Sequence, residues 1–473
     1  MRKIYRIDMF KGLDLSQDEN ALESGYSADA CNMDTRDGSL TVAGGYERYI
    51  KEPIPGGAPI GRLIVFRHGE GERMVATDSE AVYAYVNGQW EQIHVFPAPL
   101  KNNRIDTIEA RVGDTDCLLL ACGEHPVIQY DGGAASVFGT EDGDSLHPVN
   151  YLAMYSGRLF AAGNPASPDR LYWSALPGDG RNITHWGAVE ASPAVEGGHT
   201  QVGSVGGDPI TGLKALPNQL VIFKRHSIYR LIGDRPANFV IEPVEALSGS
   251  QSHTSTVASG GAAYFINSAG LHMFNGVAVQ QAPQAHRIRR LIEQADIRDA
   301  RAALSGETLY ILLKQGEQPV MLQYDLQRRT FMQHKGFDAT DLCANGDDLY
   351  MINQTRLIYR FGPFPTYDGE PIEAHWRTPL TDLYDKGGIK CLRELYLRGE
   401  TDDKESALLI EASVGGHAAT YRALLPNNPS EVLEIPLQNE GRTFSLKFYN
   451  EAGGHFSLRG GVELALGVRR RVE

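Results

Sequence analysis

One pattern recurs seven times in this chain and limits what it can fold into: an apolar strand, a short polar turn, then a strand bearing an aromatic or other large apolar residue that stops near Gly, Asp or another polar residue. The copies lie at residues 74–77 with 82–88, 117–121 with 127–132, 158–162 with 171–174, and 219–223 with 227–231. Three more lie at 263–266 with 270–274, 308–312 with 320–324, and 348–352 with 357–361. Anchored on Tyr85, Tyr130, Tyr172, Tyr229, Met273, Tyr324 and Tyr359, they are spaced 35 to 57 residues apart with a mean near 46, the period of a propeller blade. A single hairpin cannot bury both of its faces, so the copies must stack or close radially around a centre, which also protects their edges. The expectation is an all-β chain built on a β-propeller of six to seven blades. A pair of β-sandwiches shows a similar rhythm of short strands and is the competing reading. Trp90 and Val137, just beyond two of the hairpins, suit the next strand of each blade.

Two regions lack the repeat. Beyond the Pro-rich step Phe361-Gly362-Pro363-Phe364-Pro365-Thr366, longer alternating strands appear at 373–378, 392–398, 408–414, 444–449 and 462–466. Strict alternation means one buried and one wet face, hence a C-terminal β-sandwich. At the other end, residues 10–15 and 37–42 flank a small-residue loop, and Arg36-Asp37-Gly38 reads as a hairpin turn. The chain therefore divides into an N-terminal arm with closing strands (1–55), a propeller (56–365) and a sandwich (366–473). Between the fifth and sixth copies, apolar positions 288, 291 and 292 within 285–294 have helical spacing, and the arginines around them read as the solvated face of a short helix.

Charge and composition exclude several function classes. Gly 51 and Pro 24 among 473 residues, with 42% hydrophobic residues, rule out collagen-like and disordered chains. A formal charge of −14 rules out a protein that coats nucleic acid, because neutralising phosphates requires a basic excess. The five cysteines, Cys31, Cys117, Cys122, Cys343 and Cys391, have no C-x-x-C spacing and read as small buried hydrophobes in a reducing compartment rather than as disulfides or zinc ligands. The basic N-terminal stretch lacks an apolar core segment, and no run approaches the length of a membrane span. The expectation is synthesis in the cytoplasm and no membrane anchoring.

The search for catalytic and ligand-binding motifs finds little. There is no G-x-S-x-G, H-E-x-x-H or P-loop string, and no S-x-D-x-G-x-x-W box of the sialidase kind. The Gly-rich stretch 202–208 reads as a loop, and the 14 histidines are scattered without ligand spacing, with His272 as a wall residue of a blade. The acidic turns Asp34-Thr35-Arg36-Asp37-Gly38 and Glu141-Asp142-Gly143-Asp144 depart from the alternating calcium loop and read as solvated turns. Catalytic carboxylates of a propeller glycosidase come from different blades and leave no local spacing. No catalytic, cofactor-binding or metal residue is therefore assigned, and no cofactor is expected.

Other stretches carry a family resemblance. Met9-Phe10-Lys11-Gly12-Leu13-Asp14-Leu15, then Asp29-Ala30-Cys31-Asn32-Met33-Asp34, then Gly38-Ser39-Leu40 and Gly44-Gly45-Tyr46 resemble the N-terminal signature of tailed-phage and prophage structural propellers. Asn218–Asp234, Ala263–Gly276, Trp376-Arg377-Thr378-Pro379 and Lys390–Leu397 are similar to the same group. By length and layout the chain resembles the packaged-DNA stabilisation proteins of short-tailed phages. That resemblance implies a non-enzymatic virion component of the neck or tail, made in the host cytoplasm. It further implies a hexameric ring below portal and adaptor proteins, a plug that retains packaged DNA without binding it specifically, and a support for further tail proteins. An acidic wall that repels phosphates is compatible with DNA sliding past. The expected assembly contacts are Phe10, Asn32 and Asp34 in the N-terminal zone and the basic end Arg469, Arg470 and Arg471, with strands that merely finish their own sheet as the alternative. Two competing functions are a distal tail protein binding a host-surface glycan, which calls for aromatics clustered on one propeller face, and a glycan depolymerase, which calls for three or more acidic residues converging at the central pore.

Overall fold

The computed structural model describes residues 2–69, 71–139, 148–178, 180–187, 196–204, 206–246, 249–401, 407–426 and 430–469. Seven four-stranded antiparallel sheets follow one another along the chain, and each is a propeller blade. Their innermost strands are Ile60–His68, Asp106–Val112, Tyr151–Tyr155, Ile210–Leu216, Val257–Ser259, Asp296–Ser305 and Asp341–Asn345, for blades 1 to 7 respectively. Neighbouring blades pack through these inner strands, blade 7 against blade 1 included, except that the inner strand of blade 1 meets blade 2 at its second strand, Thr115–Ala121. All seven hairpin repeats form the second and third strands of a blade. These strands are the most apolar in the chain: 117–121 and 158–164 are buried throughout, because each is sandwiched between neighbouring blades. Trp90 lies in the outer strand Gln89–Val95 of blade 1, and Val137 in the outer strand Ala135–Val137 of blade 2.

The ring is closed by an exchange between distant parts of the chain. Blade 7 takes only three strands from 341–361. Its outermost strand is Tyr46–Ile50, paired antiparallel to Ile358–Phe361. The closure is reinforced by Arg356, whose guanidinium donates to the carbonyls of Ile54, Pro55 and Ala58 and to Asp78 Oδ2 at 2.9 Å on blade 1.

The N-terminal segment does not form a separate arm. Residues 2–42 are threaded through the sandwich as strands of both its sheets. Arg2–Ile7 pairs with the last strand, Phe456–Arg469, and Leu40–Val42 pairs with an earlier part of the same strand. Gly460 and Gly461 lie between the two pairings with positive φ (+68° and +73°), and a Cβ at Gly461 would meet the carbonyl oxygen of Ile7 at 1.9 Å. Only glycine permits that jog. In the second sheet Asp29–Cys31 pairs with His375–Arg377, beside Phe444–Asn450, Leu408–Val414 and His417–Ala423. The hairpin expected at Arg36-Asp37-Gly38 joins Met33–Asp34 to Leu40–Val42.

Sandwich and propeller share one apolar core. Trp376, Phe444, Phe448 and Leu464 of the sandwich belong to the same buried cluster as Tyr310, Met321, Met332 and Met351 of blades 6 and 7, with Phe10 and Met33 between. The helical segment between blades 5 and 6 is a short turn, Ala285–Ile288, running into Arg289–Glu293, and it buries Ile288, Leu291 and Ile292 against blades 5 and 6. Its arginines are not all solvated. Arg287 pairs with Asp14 and lies 3.6 Å from the centre of the Tyr26 ring, tying the N-terminal segment down. All five cysteines are free and buried.

Candidate functional site

Every blade brings polar residues to one mouth of the central channel. Arg62, Asp106, Tyr151, Lys214, His253 and Arg301 line it from blades 1 to 6, and Asp341 of blade 7 lies buried beside Arg62 and Arg301. Three of the inner strands are bulged there, between Ile60 and Arg62, Ile210 and Gly212, and Asp296 and Arg301. A bulge re-aims the side chains beside it.

Two ion-pair groups close the axis. His253 sits on the short turn His253–Ser255 ahead of blade 5 and reaches across to blade 2, where its Nε2 stands 2.8 Å from Asp106 Oδ1. Its ring packs against Tyr151 at 5.2 Å and passes so close to Gly212 that a Cβ there would meet Nδ1 at 2.7 Å. The turn is anchored by Ser252 and Thr254 hydroxyls, which both donate to the Ala300 carbonyl on blade 6. Asp106 also accepts from the Leu152 N–H at 2.8 Å. Burial by itself would raise the pKa of this carboxyl, but His253 and the backbone donor outweigh it, so the net shift is downward and Asp106 is a carboxylate. Burial pushes the Lys214 ammonium down, with Asp106 acting in the opposite sense.

On the other side Asp341, fully buried, accepts from the Leu63 N–H at 2.7 Å and from Arg62 Nη1 at 3.3 Å. Arg301 Nε lies 3.9 Å from the same carboxylate, too far for a hydrogen bond. Two cavities share the Asp106–His253 pair as a wall. One is faced by Arg104, Tyr151, Asp299 and Arg301; the other by Arg62, Lys214 and Cys343.

The acidic residues that a depolymerase calls for do meet here, as Asp106, Asp299 and Asp341, but each is paired with a neighbouring cation or histidine. Asp341 is sealed from solvent, Asp106 is held by His253, and Asp299 accepts from Arg104 Nη2 at 2.9 Å. The aromatic cluster that a glycan-binding face calls for is not made by the tryptophans. Trp90 and Trp173 belong to blades 1 and 3, Trp186 is buried in a loop behind blade 3, and Trp376 is in the sandwich core.

The expected assembly contacts lie elsewhere, and two of them are interior. Phe10 is 1% exposed and packs edge-on against Trp376, ring centres 4.9 Å apart. Asn32, 2% exposed with φ +54°, donates to the carbonyls of Lys335 and Glu373 and accepts from the Lys335 N–H and the Tyr367 hydroxyl. It joins blade 6 to the sandwich and is unavailable to a partner. Their apolar and amide character signals a junction inside the chain, which local sequence cannot distinguish from one between chains. Asp34 is partly exposed, but both its oxygens are held by Arg36. Asp37 accepts from the N–H and hydroxyl of Ser39, so this turn is organised by its own hydrogen bonds. Arg469 is exposed and paired with Glu440. Arg470, Arg471 and the acidic turn at 141–144 lie outside the described residues. His272 is buried on blade 5 with Nδ1 3.1 Å from the Gly270 carbonyl, and burial lowers its pKa.

The channel-mouth residues escaped the sequence reading because the repeat was traced on the second and third strands. The available signal was a charged residue at the head of a first strand, as at Asp106 and Asp341.

No protein-family model matches the chain, and no curated protein does. Among solved structures it is similar to PorZ, an essential bacterial surface component of the type-IX secretion system of Porphyromonas gingivalis, at 9% identity and TM-score 0.41, covering 78% of this chain and 46% of that one. It is also similar to the extracellular domain of a putative hybrid two component system from B. thetaiotaomicron, at 10% identity and TM-score 0.47, covering 88% and 59%. A third is the Neurospora crassa Pan2 WD40 domain, at 11% identity and TM-score 0.43, covering 67% and 94%. The chain spans about half the length of the first two. The propeller assignment rests on the sheet order described above.

Proposed function

We propose that this protein is a non-enzymatic structural component of a phage particle, a hub or plug at the neck or tail that retains packaged DNA and supports further tail proteins. The observation that carries the reading is the way the chain ends are used. Residues 2–42 and 375–469 are woven into one sandwich that shares a core with blades 6 and 7, so the two modules form a single stiff body. Such a body suits a part that transmits load between neighbours, and a ring of copies would form by heterologous contacts that close by rotation.

The closed axis adds a constraint. The His253–Asp106 bridge spans the propeller from blade 5 to blade 2, so a duplex runs along the axis of the ring of copies and not through any one propeller. A net charge of −14 keeps such a wall from gripping phosphates. The N-terminal motif resemblance supports a structural phage propeller, and the neck or tail station, the hexameric state and the portal and adaptor contacts belong to the same proposal.

The test is antibody-gold labelling of intact particles from the source strain, viewed by electron microscopy. Label at the neck or along a short tail is the expected result. Label confined to the distal tip would replace the hub with an adsorption role, and unlabelled particles would refute a virion role altogether.

A further inference from the structure

Arg301 is the channel residue that the hub reading leaves unused. Its side chain is 9% exposed, yet neither Nε nor Nη1 meets a hydrogen-bond acceptor among the described residues. The nearest carboxylate, Asp341, is already engaged by the Leu63 N–H and Arg62. A buried guanidinium without acceptors is costly, because it gives up water and receives nothing in return.

The surroundings offer an acceptor's place. Arg301 faces the first of the two cavities together with Arg104, which approaches from blade 2, and the polar side chains of Asn150, Tyr151, Ser252 and Thr254. The two carboxylates on that cavity are committed, Asp106 to His253 and Asp299 to Arg104. Around the mouth Arg62, Arg104, Lys214 and Arg301 stand against Asp106, Asp299 and the buried Asp341, a local cationic excess in an acidic protein. A planar guanidinium pairs in a fork with carboxylate or phosphate oxygens.

We infer that this cavity is a binding site for a small molecule carrying one oxyanion group, a carboxylate or a phosphate, held by the Arg301 guanidinium with Arg104 beside it. The ligand's polar body lies against Tyr151 and the amide and hydroxyl groups of the wall. The site is independent of the particle role, since it needs only the monomer.

The test is isothermal titration calorimetry on the full chain at constant ionic strength, with inorganic phosphate and with glucuronate in separate titrations. Saturable one-to-one binding of at least one probe is expected, and which probe binds tells phosphate from carboxylate. Arg301→Met should weaken it by about tenfold or more, as the loss of a charge-assisted hydrogen bond implies. Arg301→Lys, which keeps the charge and loses the fork, should fall between. Arg289→Ala, an exposed arginine paired with Glu293 away from the channel, should bind like wild type. Absence of saturable binding by both probes, or unchanged affinity in Arg301→Met, overturns the inference. Should Arg301→Met fail to fold, Arg301→Lys decides by the same criterion, with unchanged affinity overturning the inference.

Discussion

Replacing Phe10 with alanine separates a core residue from a docking residue. The side chain is 1% exposed, meets Trp376 edge-on at 4.9 Å and 89°, and meets Phe448 at 6.4 Å and 85°. Truncating a buried Phe to Ala removes transfer energy and leaves a cavity, about 3–5 kcal/mol together. Phe10→Leu keeps most of the volume but loses both ring pairs, for about 1–1.5 kcal/mol. The assay is urea denaturation followed by tryptophan fluorescence, with Trp376 as the local reporter, and by far-ultraviolet circular dichroism. The unfolding free energy extrapolated from the urea transition should fall by about 3–5 kcal/mol for the alanine variant. A cost below about 1 kcal/mol for Phe10→Ala would mean that the ring is not enclosed, and would restore Phe10 as an exposed contact.

Two further perturbations test the junctions. His334, fully buried between blade 6 and the sandwich with Nε2 2.7 Å from Gln323 Oε1, has its pKa pushed down by burial to about 4. The unfolded chain takes up a proton as pH falls through about 6.5, and the folded chain only near 4. Its stabilising contribution is therefore present above that upper value and is lost on acidification through the window, by about 2 kcal/mol between about pH 7 and 5. Denaturant titrations of wild type and His334→Gln should diverge by that slope, and parallel curves would refute it. At the ring closure, Arg356→Met strips the buried Asp78 of its cation and should cost about 3–5 kcal/mol. Denaturation midpoints measure this, with Asp78→Asn as the comparison, and a near-neutral Arg356→Met would show that the pair is dispensable to closure.

The sequence by itself determined the parts of this protein whose partners are close along the chain. All seven hairpins were legible because an apolar run, a turn and a second run pair within about two dozen residues, so the alternation of side chains reports the structure directly. The sandwich strands at 392–398, 408–414, 444–449 and 462–466 were legible from their own alternation although they pair at long range, and the short helical segment carrying Ile288, Leu291 and Ile292 from its spacing. The pairing of Tyr46–Ile50 with Ile358–Phe361, and of Arg2–Ile7 with the final strand, joins segments hundreds of residues apart. Pairing at that separation is chosen by which open edges remain once local sheets have formed, and a strand's own sequence does not carry that information. This is why residues 1–55 read as an arm, and why Phe10 and Asn32 read as contacts with another chain. Their surfaces do make an interface, but one between two modules of the same molecule. The channel mouth is the extreme case, since Arg62, Asp106, Tyr151, Lys214, His253, Arg301 and Asp341 acquire meaning only when seven inner strands converge on one axis. Ring closure decides which charges are paired there, and it leaves Nε and Nη1 of the buried Arg301 guanidinium without an acceptor among the described residues.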